Sequence, residues 1–418
     1  MERSGRRFGP GDREAFQIFH ISTIPSSILQ GADMRTRATK RCIGILTAGG
    51  DCPGLNAAIR AVAKAAHHHG IQVIGFMDGF RGLVENRSML LEDRVVSGIL
   101  THGGTLLGTS RDKPHKMDMG GQVMDMTAVA VANAKRLQLE CLVCLGGNGT
   151  QKNAWQLHKN GGLNVLTLPK TIDNDVAMTD ISFGYDTALT IATEAIDRLH
   201  TTATSHHRII VCELMGHAAG WLALGAGIAG GADVILIPEI PYDIHAVADF
   251  ILARRHSGKR FSIIAMAEGA VSVEEAAALA KVAEKVKKSP AKKKAKEEQP
   301  SGGDENGHVM IKEPKVNRIA RDLQELTGIE VRTTSLGHVQ RGGTPTPTDR
   351  LLCTRLGTTA GELLAGRHYN VMVGVKGDTC VPVPLDRVAG VIRCVPAGHA
   401  WLHAAAMVGT CLGVHGAE

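Results

Sequence analysis

Cys42-Ile43-Gly44-Ile45-Leu46-Thr47-Ala48-Gly49-Gly50-Asp51-Cys52-Pro53-Gly54-Leu55-Asn56 is the stretch that decides the fold. Its apolar opening, Cys42–Thr47, reads as a strand, and the apolar spacing from Leu55 to His69 reads as a helix. Between them lies a glycine turn. Glycines let the backbone approach an anion closely, and the following helix start offers amide donors and a positive dipole end. No GK[ST] follows, so the turn is not a P-loop, and it is not a GxGxxG fingerprint. The design then repeats. Leu139–Leu145 reads as a buried strand, Gly146-Gly147-Asn148-Gly149-Thr150 as its turn, and Lys152–Lys159 as a helix. Two such turns at strand ends imply one polyphosphate lying across the carboxyl edge of a sheet.

Outward from these turns the alternation continues. Strands are expected over Leu163–Leu168, Ile209–Leu214, Val234–Ile237, Phe261–Met266 and Glu330–Ser335. Helices are expected over Asp186–Thr204, Trp221–Ile228, from about Val273, over Val316–Leu326 and over Thr348–Leu364. Apolar strands alternating with helices give an α/β fold whose parallel sheets are covered on both faces. The 418 residues are enough for two or three domains. Residues 1–40 have no sustained period and read as a leader, disordered in this expectation. Residues 286–307, rich in Lys, Glu, Pro and Gly, read as a flexible insertion whose removal over 289–306 leaves turnover intact.

The formal charge of +6 divides unevenly. Residues 1–41 carry eight Lys/Arg against four Asp/Glu, and residues 281–300 carry eight against three, so these segments hold +4 and +5. The rest of the chain is left at −3, which disfavours a nucleic-acid or membrane-surface role. Aromatics make up only 3%, too few for base-stacking platforms. No apolar run reaches the roughly 18 residues of a membrane span. The nine cysteines lack the density of a disulfide framework, and a cytoplasmic location follows. Cys141 and Cys144 form a CxxC inside a strand, where two small buried hydrophobes are the expectation.

Pro169-Lys170-Thr171-Ile172-Asp173-Asn174-Asp175 carries the chemistry. In an extended turn the side chains at i and i+2 point the same way, so Asp173 and Asp175 are expected to face one reaction centre. One would accept a proton and the other would sit near a metal ion, with Lys170 a compact positive charge for a phosphate. A solvated acidic turn capping a helix is the plainer alternative. Three further glycine loops add cations: Gly103–Arg111, ending in Arg111; Met215–Gly220, with His217; and Gly337–Gly343, with His338 and Arg341. Arg208, Arg332 and Arg341 with His217 and His338 are expected to form one cationic pocket for a second phosphorylated molecule.

In this order and spacing, GGDCPGLNAAIR, GGTLLGTSR, GGNGT, PKTIDND, RIIVCELMGH, AEG and RTTSLGHVQRGG resemble the phosphofructokinase family, from about residue 41 to 365. The resemblance implies two doubly wound, Rossmann-like parallel-sheet domains with the active site in the cleft between them. Residues 41–184 with about 342–418 would form the phosphoryl-donor domain, and residues 185–341 the sugar-phosphate domain. It implies phosphoryl transfer from ATP to the 1-hydroxyl of fructose 6-phosphate with Mg2+. Asp173 would be the base, beside Lys170, Thr171 and Arg111. Gly50, Arg111, Gly147, Asn148, Gly149 and Thr150 would hold the donor, and Asn148 and Asp175 the metal. Thr171, Ile172, Asp173, Arg208, Met215, Gly216, His217, Glu268, Arg332, His338, Val339, Gln340 and Arg341 would hold the sugar phosphate. The family's counterparts of Arg208 and Arg332 cross a subunit interface, which implies a homodimer or homotetramer.

The donor is the point of divergence. In the family, glycine at the position of Gly149 leaves room for ATP, whereas aspartate there accompanies pyrophosphate; lysine at the position of Lys170 is usual with pyrophosphate. Gly149 carries more weight, because steric exclusion is decisive, and ATP is the expected donor with pyrophosphate the alternative. Asn148 replaces a common aspartate, which implies a weaker metal requirement at that point. His217, where many bacterial ATP-dependent members have arginine, points toward the pyrophosphate-like or mixed-substrate branch. A non-catalytic sugar-phosphate-binding subunit is disfavoured by the intact Asp173 and Asp175. A kinase of the NAD or lipid type is disfavoured by the second basic cluster.

Overall fold

The computed structural model describes residues 41–287 and 313–415. The expected leader and nearly all of the Lys-rich insertion lie outside them. The described residues gather into one compact unit. Its strands are β1 (Cys42–Thr47), β2 (Gln72–Phe76), β3 (Ser88–Leu90), β4 (Met117–Met119), β5 (Gln122–Met124), β6 (Cys141–Gly146), β7 (Val165–Pro169), β8 (Ile209–Leu214), β9 (Val234–Leu236), β10 (Ser262–Ala267), β11 (Val331–Ser335), β12 (Val371–Lys376) and β13 (Thr379–Pro384).

One sheet of seven strands runs in the order β13-β12-β7-β6-β1-β2-β3, and a second of four runs β11-β8-β10-β9. The second sheet is parallel throughout. The first is parallel from β12 to β2, with the antiparallel strands β13 and β3 at its edges. The chain leaves β1 to build β2 on one side and later returns to place β6 on the other. The point of reversal therefore lies between β1 and β6, where an open sheet leaves a crevice beyond its carboxyl ends. Both expected glycine turns flank that crevice.

Why these runs form two-sided strands is visible residue by residue. Along β6, Cys141, Val143 and Leu145 pack into one core cluster, while Leu142 and Cys144 pack into another. Ile43 and Ile45 of β1 take the first face and Leu46 the second. Period-two alternation with both faces apolar is the signature of a strand covered by helices on both sides. The first cluster also takes in Ile210, Cys212, Ile263 and Ala265, so one core runs through both sheets. Cys141 and Cys144 are free and buried, as expected of small hydrophobes, and burial pushes both thiols up.

Four helices set the site. They are α1 (Leu55–His68), α2 (Asn148–Gly161), α3 (Tyr185–His206) and α4 (Pro347–Ala365). α1 and α4 cross closely because Ala61 and Ala65 face Gly357 and Gly361, where an added Cβ would overlap the alanine methyls. α2 starts four residues before the expected Lys152, at Asn148. The extended backbone of Gly147 acts as its N-cap, so Asn148, Gly149 and Thr150 form a first helical turn instead of a loop. The other expected elements are found within a few residues of their expected ends. β2 and the β12–β13 hairpin were not anticipated.

Candidate active site

The glycine turn after β1 is lashed down from several directions. Thr109 Oγ1 donates to Gly49 O at 2.7 Å, and Gly49 N donates to Ser110 O at 2.8 Å. Asn56 at the start of α1 holds the third glycine loop, donating to His102 O and Gly103 O and accepting from Leu106 N at 2.8 Å. The loop ending in Arg111 is thus fixed beside the β1 turn. With the α2 start and the Pro169–Asp175 turn, they enclose an open cavity of about 290 Å³ over the crevice.

Twelve of the expected residues line it: Gly50, Arg111, Gly147, Asn148, Gly149, Thr150, Lys170, Thr171, Ile172, Asp173, Asp175 and Arg341. Gly149 has no positive φ, and a Cβ there would meet nothing within 4 Å. Neither backbone strain nor packing therefore requires glycine at 149, and its missing side chain is open cavity. Lining residues that the sequence reading overlooked include Lys113 and Asn153. Lys113 lies two positions past Arg111. Asn153 is one helical turn past Gly149 on α2, a neighbour that the 3.6-residue period would have revealed had the helix start been read correctly.

The two carboxylates meet by a different route from the one expected. The turn is not extended, because Asn174 sits in the left-handed region at φ 51°. Its side chain supports this, with Asn174 Oδ1 accepting from Ser182 N at 3.0 Å, while Ser182 Oγ donates to Thr171 O. Asn148 Nδ2 donates to Asp175 Oδ2 at 2.8 Å and to Asp175 O at 3.2 Å. Asp173 Oδ1 is buried without a partner. Burial and the neighbouring Asp175 push the Asp173 carboxyl up to about 6, against a pull downward from Arg341. Burial also raises Asp175, while a backbone bond, Thr171 and Asn148 hold it back. Lys170 is buried, its Nζ donates to Gly50 O, and burial lowers its pKa.

Asn148 Oδ1 is a second buried atom without a partner, on the residue that grips Asp175. Amide and carboxylate oxygens are the donors a hard divalent cation takes, usually completed by water and substrate phosphates. The set fits Mg2+ as a partial shell. Among the described residues no cluster of three or more His, Cys, Asp or Glu forms a self-sufficient metal site.

On the second sheet, the loops after β8, β10 and β11 stand side by side. Glu268 N donates to Leu214 O at 2.8 Å, Gly269 N to Gly216 O at 3.1 Å, and Leu336 N to Glu213 O at 3.1 Å. This arrangement brings Met215, Gly216, His217, Glu268 and His338 to one carboxyl edge, with His217, Glu268 and His338 exposed. Arg341 joins the two halves, its Nη1 donating to Asp51 O at 3.1 Å while its Nε is buried without a partner.

The single cationic pocket is not formed within one chain. Arg208 precedes β8 and Arg332 lies near the start of β11. Both pair with Glu330, at 2.7 and 2.5 Å, on the amino edge of the second sheet. A six-residue strand separates Arg208 from Met215, seven steps that span about 23 Å at 3.3 Å per residue. Two other expected contacts stand differently. Ile172 lines the cavity while its side chain belongs to the core. Val339 is exposed on the same edge as His338. Gln340 is wholly buried, accepting from Met215 N and donating to Gly337 O, so its side chain braces the loop.

The phosphofructokinase family model matches residues 42–364. The ATP-dependent 6-phosphofructokinase of Propionibacterium freudenreichii subsp. shermanii is 53% identical over 376 residues, covering 89% of this chain and 99% of that one. The enzyme of the same name from Spirochaeta thermophila is 49% identical over 382 residues, covering 90% and 99%. Among solved structures, the Saccharomyces cerevisiae phosphofructokinase superposes with a TM-score of 0.68 at 29% identity over 84% of this chain. This chain spans 45% of that yeast chain. With the paired glycine turns at the sheet reversal and the carboxylate turn between them, these likenesses place the chain in the phosphofructokinase family.

Proposed function

We propose that the protein transfers the terminal phosphoryl group of ATP to the 1-hydroxyl of fructose 6-phosphate, giving ADP and fructose 1,6-bisphosphate. One observation carries the reading. Asp173, at the junction of the two sheets' loops, has an unpartnered buried oxygen and a carboxyl raised to about 6. At neutral pH such a group is mostly ionised yet basic enough to accept a proton, which suits general-base catalysis. In this reading the sugar hydroxyl gives its proton to Asp173, its oxygen bonds to the transferring phosphorus, and the bond to the ADP oxygen breaks.

The donor would lie along the β1 turn, the α2 start and Arg111, where backbone amides and a guanidinium meet phosphate oxygens. Gly149 leaves the space that a nucleotide needs. Residues 41–184 with about 342–418 then hold the donor and residues 185–341 the sugar phosphate, through His217, Glu268, His338 and Arg341. Mg2+ bound near Asn148 and Asp175 would neutralise charge on the phosphates. Arg208 and Arg332, remote from the cavity in their own chain, would complete a neighbouring subunit's sugar-phosphate site, so the working form is a homodimer or homotetramer. Nine free cysteines accord with a reducing cytoplasm. Among the described residues no helix is long and apolar enough to cross a membrane.

The test is product formation from fructose 6-phosphate with Mg2+ and either ATP or pyrophosphate. Turnover with ATP supports the reading, and turnover with pyrophosphate alone replaces the donor. Binding of fructose 6-phosphate without turnover by either donor would make the chain a regulatory subunit. Sedimentation velocity tests the oligomer, where a monomer that turns over normally would refute the shared site.

A further inference from the structure

Beyond Leu364 the chain leaves the stretch matched by the family model. A short segment from this remainder, Ile392–Val395, runs back over the carboxylate turn. Ile392 forms an antiparallel bridge with Val176. Arg393 N donates to Asp175 O at 2.8 Å, and Arg393 Nη1 donates to Asn174 O at 3.1 Å. These two carbonyls belong to successive peptide planes on either side of the Asp175 Cα, so a single residue clamps both. The direction of the Asp175 side chain follows from those planes. The clamp acts next to Asn174, which sits in the left-handed region at φ 51°, a conformation asparagine tolerates better than most residues.

The other face of the segment is anchored to the second sheet. Trp221 Nε1 donates to Arg393 O at 2.9 Å, and the Arg393 guanidinium stacks over the Trp221 ring at 4.2 Å. Val395 N donates to Glu239 Oε1 at 2.8 Å, and Glu239 accepts from Gly220 N through both oxygens at 3.0 and 3.1 Å. Gly220 closes the glycine loop that follows β8. Among the described residues Arg393 has no ion-pair partner within 4 Å, so its charge is spent on a carbonyl and an indole face. A stacked guanidinium has a fixed direction, which a lysine ammonium lacks.

We infer that Ile392–Val395 is a strut between the carboxylate turn and the β8 glycine loop, and that Arg393 is a positioning residue for Asp173 and Asp175. This rests on the phosphoryl-transfer reading above. Arg393 touches neither substrate nor the reacting atoms. Its effect reaches them through the orientation of two peptide planes, so it should appear in kcat and not in substrate affinity.

The test compares the parent chain with Arg393→Met and Arg393→Lys, using ATP, fructose 6-phosphate and Mg2+. Methionine keeps an apolar stem on Trp221 and removes the donor; lysine keeps a charged donor without the planar fork. If Arg393→Met does not fold, by circular dichroism and thermal melting, Arg393→Gln replaces it, being too short to reach Asn174 O. Losing the side-chain bond to Asn174 O while the backbone bond to Asp175 O stays should lower kcat about 10-fold and at most about 100-fold, the cost of a misplacement of roughly 1 Å. Both KM values should stay within about threefold, the pattern of an interaction felt in the transition state. Added guanidinium ion with Arg393→Met should restore part of the rate, and Arg393→Lys, which keeps a donor without the fixed fork, should fall between the parent and the methionine variant. A folded Met or Gln variant with kcat within about twofold of the parent overturns the strut. So does a parallel rise in both KM values, or a lysine variant as impaired as the methionine one. A parent that does not phosphorylate fructose 6-phosphate overturns the underlying reading, whereas an active parent with an unaffected variant overturns the strut alone.

Discussion

Replacing Asp173 with asparagine should make the enzyme slower and the fold more stable at the same time. Among the described residues the Asp173 carboxylate accepts no hydrogen bond, and one oxygen is buried without a partner, so the amide breaks nothing. Its carboxyl is raised from 3.8 to about 6, first by burial and then by Asp175. The folded state therefore holds this proton more tightly than the unfolded chain does. That advantage is complete below the unfolded value and is lost as the pH rises through the folded one. Above pH 6 the ionised group costs the fold on the order of 2–3 kcal/mol, from 1.36 kcal/mol per pH unit of difference. Asp173→Asn should recover most of this at about pH 7.5 and almost none near pH 4, in urea unfolding followed by circular dichroism with a chelator present. In the same variant kcat should fall ~10²–10⁴-fold, the usual contribution of a positioned base. In the parent, kcat/KM should decline below a midpoint at or under about 6, because a cation bound near Asp175 pulls the value down. Turnover within about tenfold of the parent would refute the base. A variant less stable than the parent at neutral pH would refute the buried-charge argument.

Gly149→Asp should fold normally, since a Cβ there meets nothing within 4 Å, yet raise KM for ATP by at least about tenfold through lost space and like charge; an unchanged KM in steady-state assays would remove Gly149 from the donor site. Asn148→Asp adds a carboxylate beside Asp175, so it should lower the Mg2+ concentration needed for half-maximal rate, and an unchanged Mg2+ titration would contradict the partial-shell reading. Asp349 is fully buried and accepts from Gly184 N and Thr187 N at 2.9 Å each, and from Thr187 Oγ1 at 2.6 Å, at the start of α3. Asp349→Ala leaves these donors without partners and should cost about 3 kcal/mol, read as a lower urea midpoint, whereas a midpoint equal to the parent's would refute the capping role.

Much of this protein could be read from local pattern alone. β1, β6 and β8 announce themselves because both faces of a parallel strand are apolar, and the glycine turns after them are short-range features with few alternatives. The carboxylate turn was also legible, but its backbone is not the extended one that the i, i+2 spacing implies. Asp173 and Asp175 meet through a left-handed Asn174 held by Ser182 and Arg393, and nothing in seven residues reveals partners that lie 8 and 219 positions away. The same limit misled the reading of the cations. Arg208, Arg332 and Arg341 share a residue type and a proximity to strands, but which end of a strand a side chain occupies depends on sheet register. Register placed Arg341 against Asp51 and left the other two with Glu330. Composition and spacing thus determined the strands, the glycine turns and which side chains stand as candidates for the site, because those follow from neighbours in the chain. The meeting of the two sheets, the elevation of Asp173 and the return of Arg393 were decided only by tertiary structure, because burial and long-range hydrogen bonds exist only once distant segments have packed.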